Sequence, residues 1–179
     1  MLCIGSFLNV VVHRLPLMLE RQWLGDAVDR LPPEIRAMHD DPFERSASGT
    51  VTVTRGTHPL AVLMCRMLGF PETAHDRPLV VDFEPQGGEE IWRRRFETST
   101  FRTRLRPWPG RAGHMRECVG PLAHGFELAT GPEGLTMHFR RWWLCGIPLP
   151  PALGPRVEAR QWQEGEDYCF LVDVAGPGI

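Results

Sequence analysis

The sequence predicts an α+β protein that is mostly β: a curved antiparallel meander or partial barrel with one or two packed helices. Three observations carry the prediction. Short segments alternate apolar and polar side chains, Gly and Pro punctuate the chain between them, and the intervening turns are tight. Parallel neighbours would need crossovers of about a dozen residues or more, so sequential strands must pair antiparallel. The length of 179 residues suits a single core, since domains cluster at about 100–150 residues.

Pro32 and Pro33 suit the first turn of a short helix over Glu34 to His39, and Asp40–Asp41–Pro42 reads as its stop. Thr50 to Thr54 alternates threonine with valine, a strand with one apolar face. Pro59 to Leu68 is predicted to be a helix closed by Gly69 and Pro71. Its stripe of Leu60, Leu63, Met64, Met67 and Leu68 is expected to pack into the core. Leu79, Val81 and Phe83 then alternate with Val80, Asp82 and Glu84, and Gly87–Gly88 offers a hairpin turn before Glu90 to Glu97. Phe101, Thr103 and Leu105 share a face opposite Arg102, Arg104 and Arg106. Leu122, His124, Phe126 and Leu128 share another, ahead of a turn at Thr130–Gly134 and a strand from Leu135 to Trp143. Val157–Trp162 and Tyr168–Val174 form the last hairpin. The prolines at 148, 150, 151 and 155 should take the chain out of the sheet after Trp143, leaving Leu144, Ile147, Leu149 and Leu153 to cap one end of the core or cavity.

A formal charge of −2 gives no global field for nucleic acid, and no nucleic-acid partner is expected. All basic side chains are arginine, as in a GC-rich coding sequence. Five cysteines, Cys3, Cys65, Cys118, Cys145 and Cys169, are widely spaced and odd in number. They fit neither a disulfide framework nor paired zinc ligands, which favours reduced thiols in a cytoplasmic protein. The seven histidines show no metal-ligand spacing, so no metal is expected. No glycine fingerprint opens a helix after a strand, so no nucleotide cofactor is expected either. No serine sits in a Gly-x-Ser-x-Gly turn and no cysteine has a local base. The chain is therefore not expected to be an enzyme on its own.

Arg93, Arg94, Arg95, Arg102, Arg104 and Arg106 are the sharpest local feature. On neighbouring strands alternate members, Arg93 and Arg95 with Arg102, Arg104 and Arg106, would form a stripe able to hold a carboxylate or phosphate through paired guanidinium donors. The competing reading is a solvated outer face paired with Glu84, Glu89, Glu90 or Glu97. His124 and His138 are each embedded in an alternating strand, as structural groups or as pocket lining. Trp142 and Trp143 must face opposite ways on a strand, so one of them points away from any single core, towards a lined cavity or a partner.

Two resemblances divide the chain. GSFLNVVVHRLPLMLERQW, within about residues 1–25, resembles the N-terminal segment of the type IV prepilin peptidase family. In that family the stretch ends a first membrane helix, and catalysis belongs to two aspartates beside later membrane helices. Those helices and the family's Cys-x-x-Cys pairs are missing here, and Asp40, Asp41 and Asp82 sit in soluble-looking sequence, so no catalytic residue carries over. The apolar run 2–12 is shorter than the ~20 residues of a spanning helix, so it could touch a membrane without crossing it. It also lacks the basic start and cleavage pattern of a secretory signal.

From LPPEIRAMH, THPLAVLMCRMLGFP, the stretch from WRRRF to FRTR, GPLAHGFEL and WWLCGIPLPPALGPRVEA, about residues 31–174 resemble the domain-of-unknown-function family DUF4166. Members often follow a saccharopine-dehydrogenase-like nucleotide-binding domain and run on past the last strand, which leaves open a gene fusion or a truncation at the ends. The division expected is an N-terminal fragment over 1–28 and a β-rich domain over 29–179 that folds without it. Three readings of function follow. The first is a binding or accessory domain holding an apolar or amphipathic anionic ligand on a curved sheet. The second, implied by resemblance alone, is an accessory domain of an NADP-linked oxidoreductase with a nucleotide-binding reductase partner. The third is a truncated prepilin peptidase without activity.

Overall fold

The computed structural model describes residues 8–13, 24–33, 35–36, 45–165 and 167–176. Eleven strands account for most of them: β1 (Leu8–His13), β2 (Arg45–Arg55), β3 (Ala74–Gln86), β4 (Glu89–Phe96), β5 (Thr100–Pro107), β6 (His114–Val119), β7 (Leu122–Gly131), β8 (Gly134–Leu144), β9 (Ile147–Leu149), β10 (Arg156–Glu164) and β11 (Asp167–Ala175). Helix α1 (Pro59–Leu68) joins β2 to β3, and short 3-10 segments cover Gly25–Arg30 and Pro151–Leu153. The helix expected over Glu34 to His39 has helical backbone at Pro33, Ile35 and Arg36, and the rest of it lies outside the described residues.

The expected antiparallel meander is present, and it closes. Each strand from β1 to β8 pairs with the next, β10 pairs with β11, and β11 pairs with β1. The ring is completed by β8 and β10, with Leu135–His138 opposite Glu158–Gln161. Ten strands thus form a barrel, and β9 is an appendage on the far end of β8, pairing Leu149 with Trp142 and Ile147 with Leu144. Eight strands already give an interior that side chains can just fill or that holds one small ligand. Ten leave more room.

Alternation decides what fills that interior. Leu79, Val81 and Phe83 of β3 are buried, as are Phe101, Thr103 and Leu105 of β5, while Arg102 and Arg104 are exposed. On β7 the inward set is Leu122, His124, Phe126 and Leu128, and on β11 it includes Tyr168, Phe170 and Val174. A bulge interrupts the β7–β8 ladder between Gly125 and Phe126. Because side chains alternate strictly along a strand, the extra residue on β8 lets both Met137 and Trp142 reach the same interior.

Strand direction fixes two unlike ends. At one end, the connection from β1 to β2 carries Val28, Leu31 and Ile35, all buried, and these side chains plug the barrel. At the other end lie α1, the β8–β9 hairpin and Pro151–Leu153. Here the structure departs from expectation. The helix is where the sequence placed it, with His58 capping Leu60 N–H and Gly69 left-handed at its end. Its buried residues, however, are Ala61 and Cys65, and Leu60, Leu63 and Met67 are exposed. Part of the expected stripe does face inward, since Leu60, Met64 and Leu68 line the interior cavity and Met64 packs on the core, while Leu63 and Met67 stay exposed at this end. Of the side chains expected to cap the core or cavity, Leu153 lines the cavity while partly exposed, Leu149 is half-buried, and Leu144 and Ile147 are exposed at the same end. The chain stays in the sheet past Trp143 and turns back at Cys145–Gly146, both with positive φ. Those paired left-handed angles suit a two-residue hairpin turn.

Leu8–His13, inside the expected N-terminal fragment, is paired along its whole length with both β11 and β2. A chain starting at Asp29 would lack that strand and the buried Val28. It is expected to melt at lower temperature and less cooperatively than the full chain, by circular dichroism. An unchanged melt would show that residues 29–179 form their sheet without β1.

Candidate functional site

The interior holds a cavity of about 270 Å³, close to the lower end of the ~300–1,000 Å³ usual for ligand pockets. Its wall is almost wholly apolar, with Leu79, Val81, Phe83, Phe126, Met137 and Val157 prominent, and Leu60 and Leu153 reach it from the mouth. An apolar void of this kind forfeits dispersion contacts along its whole lining.

Polar groups enter the wall in one row. Arg94 on β4, Glu117 on β6 and His124 on β7 all line the cavity, and Thr103 on β5 is buried beside them. Arg94 points inward because it continues the set that includes Trp92 and Phe96. Its Nη1 donates to Thr103 Oγ1 at 2.9 Å, and its Nη2 is 3.7 Å from Glu117 Oε1. The guanidinium carbon lies 4.8 Å from the Trp92 ring centroid and 5.8 Å from that of Phe101. Burial works against the Arg94 charge, and Glu117, Tyr168 and Glu90 favour it.

Glu90 belongs to the same inward face and is fully buried. Its Oε2 accepts from Trp92 Nε1 at 2.7 Å, while Oε1 has no partner among the described residues. Burial pushes its carboxyl up to about 7, against the lowering effects of the Trp92 hydrogen bond and Arg94. His124 is opposite Glu117 on one side and Trp142 on the other. Burial lowers its pKa, with Glu117 pulling the other way, which favours the uncharged imidazole. Its Nε2 has no hydrogen-bond partner among the described residues.

Of the residues singled out from sequence, His124 and Trp142 line the cavity. The Trp142 indole donates to Pro150 O at 3.0 Å and packs on Gly154, where a Cβ would run into the ring. Trp143 faces outward, 5.2 Å from Trp108 centroid to centroid, with the Arg116 guanidinium 4.2 Å from its ring. His138 is exposed on the outer surface beside Arg160. Arg93, Arg95, Arg102, Arg104 and Arg106 also lie on the outer face. Arg93 pairs with Glu84 at 2.8 Å, Arg95 with Asp82 at 2.9 Å, and Arg104 and Arg106 share Glu89 at 3.6 and 4.0 Å.

The sequence reading leaves Glu117 out, counts Arg94 in the arginine run but not among the residues of the binding stripe, and expects Glu90 on the outer face as an arginine's partner, whereas it is fully buried. Three consecutive arginines carry no period of their own; the signal was Trp92-x-Arg94-x-Phe96, which puts the middle arginine on the aromatic face.

Among the described residues no cluster of His, Cys, Asp or Glu could hold a metal. Burial raises the thiols of Cys65, Cys118 and Cys169, the last to about 11 with Glu164 and Asp167 contributing. They are therefore weak nucleophiles. No described helix is long and apolar enough to cross a membrane.

Fold and site together define a closed antiparallel β-barrel with an apolar internal cavity and a buried polar row. The chain belongs to the family described as a domain of unknown function (DUF4166), whose model matches residues 31–179. Short partial similarities also reach prepilin leader peptidase/N-methyltransferases. That of Aeromonas hydrophila is 48% identical over 42 residues, covering 24% of this chain and 14% of that protein. That of Pseudomonas putida is 73% identical over 26 residues, covering 14% of this chain and 9% of that protein. The chain thus spans a small fraction of the curated relatives it matches. No solved structure matches it.

The Glu90 shift carries a sign. Its folded pKa of about 7 lies above the ordinary 4.5, so the folded state holds the proton more tightly, and this contribution is lost as pH rises through 7. Glu90→Gln should therefore gain stability relative to the unmodified chain between pH 5 and pH 8, by up to ~3 kcal/mol. Urea denaturation at the two pH values measures it, and an equal difference at both would place the Glu90 carboxyl in water.

Proposed function

We propose that this domain binds one small apolar or amphipathic molecule inside its barrel and does not transform it. One observation carries the reading: a ten-stranded ring encloses about 270 Å³ of almost wholly apolar space. Two others support it. The barrel is plugged at one end by Val28, Leu31 and Ile35. The exposed large apolar side chains of the described residues, among them Leu60, Leu63, Met67 and Leu153, all gather at the other end. Exposed apolar patches of this kind mark sites where an apolar ligand or surface is met. The thiols of Cys65, Cys118 and Cys169, raised by burial, lack a nucleophile's environment.

Fluorescence of diphenylhexatriene, which is dark in water and bright in apolar surroundings, tests the reading. The chain should take up one equivalent of the dye. Ala159→Phe, which fills the cavity from β10, should cut that affinity at least about tenfold. Arg104→Ala on the outer face should leave dye affinity alone and shift stability by no more than about 0.5 kcal/mol. Uptake unaffected by Ala159→Phe would move the dye to the surface and end the proposal.

A further inference from the structure

The polar row inside the cavity lacks a hydrogen bond, and it does not lack a charge. Arg94 faces Glu117 and donates to Thr103, and Glu90 supplies a second carboxyl close enough to act on it. One guanidinium thus meets two acidic groups, and the arginines outside pair with outer-face carboxylates. An ionised ligand head would enter a region of low dielectric beside Glu117 with no uncommitted arginine among the described lining residues to receive it, which disfavours its charged form.

His124 is different. It lines the cavity, is 7% exposed, and leaves Nε2 unpartnered among the described residues. A buried polar group without a partner costs about 1–3 kcal/mol, which a ligand supplying the bond would recover in part. A neutral imidazole nitrogen donates or accepts according to tautomer. A hydroxyl can answer either, and a carbonyl can answer the donor form. Trp142, opposite His124 on β8, and Phe126, two residues along β7, frame the position with apolar surface.

Resting on the reading of the barrel as a binding domain, we propose that the ligand's polar end is an uncharged hydroxyl or carbonyl hydrogen-bonded to His124 Nε2, with its apolar body along the cavity wall. The ligand class is a neutral amphipath, such as an alcohol or ketone with a hydrocarbon body, and the ionised acids are excluded from it.

Displacement of diphenylhexatriene from the full chain at pH 8 by 1-decanol and by decanoate provides the test. The expected result is displacement by decanol at low concentration and little by decanoate. Decanol is the more apolar of the two in any setting, so the decisive readout is the variant series. His124→Phe should keep the dye but weaken decanol by about tenfold, the size of one hydrogen bond, and His124→Gln should restore most of it. If decanoate displaces as well as decanol, or if His124→Phe leaves decanol unchanged, the assignment of the polar end is overturned while the cavity reading stands. If the unmodified chain takes up no dye, the cavity reading itself fails, and this assignment falls with it.

Discussion

The ladder between β8 and β10 is the contact on which the rest of the structure depends. Without it the sheet would be an open, strongly twisted ribbon with two free edges, each a row of unpaired N–H and C=O groups ready for another chain. With it the edges vanish and a wall that faces inward all round becomes possible. Strand β8 serves two neighbours to achieve this. Leu135–His138 pair with β10, and Trp142–Leu144 pair with β9. The bulge between Gly125 and Phe126 separates the two halves, and the β9 appendage covers part of the mouth that β10 leaves. The cavity follows from the closure, since the strand number sets an interior wider than the inward side chains fill.

The partly buried Arg94–Glu117 pair, its side chains 13% and 24% exposed, is not a source of stability in such a wall. Removing two charges from water costs several kcal/mol per ion before their attraction is counted, and apolar replacements of similar volume often do as well or better. What the row gives is position. Arg94 is held by Thr103, by Glu117 and by the faces of Trp92 and Phe101, so the polar patch has a fixed place on an otherwise apolar surface. A ligand with one polar end would then have one orientation.

Period-two alternation made most of the barrel legible. Strands β3, β5, β7, β10 and β11 could be read from residues such as Leu79–Val81–Phe83 and Tyr168–Phe170, because inside and outside differ in polarity there. Strand β6 was not read, since its inward set of Met115, Glu117 and Val119 places a carboxylate inside and breaks the code. Strand β1 was masked by its likeness to the end of a membrane helix, although Asn9-Val10-Val11-Val12 is β-branched enough to be a strand. Closure itself is not written in any segment. It depends on the register between β8 and β10, which lie apart in sequence and carry no mark of each other. At the site, alternation found His124, and facing-opposite-ways logic found Trp142. The outer arginines drew attention because charge is conspicuous in sequence, while Arg94 was hidden between two like neighbours. The helix stripe was only partly informative: Leu60, Met64 and Leu68 line the cavity, but Leu63 and Met67 are exposed and the fully buried helix residues are Ala61 and Cys65.

Amide hydrogen exchange across β10 tests the closed barrel most directly. Successive N–H groups of an antiparallel strand point alternately to its two neighbours, so a strand with one neighbour protects only every second amide. The closed ring predicts that consecutive amides over Glu158–Gln161 are all slow, those directed at β8 as well as those directed at β11. Fast exchange at every second position, with the rest protected, would show an open edge at β10 and contradict the enclosed cavity.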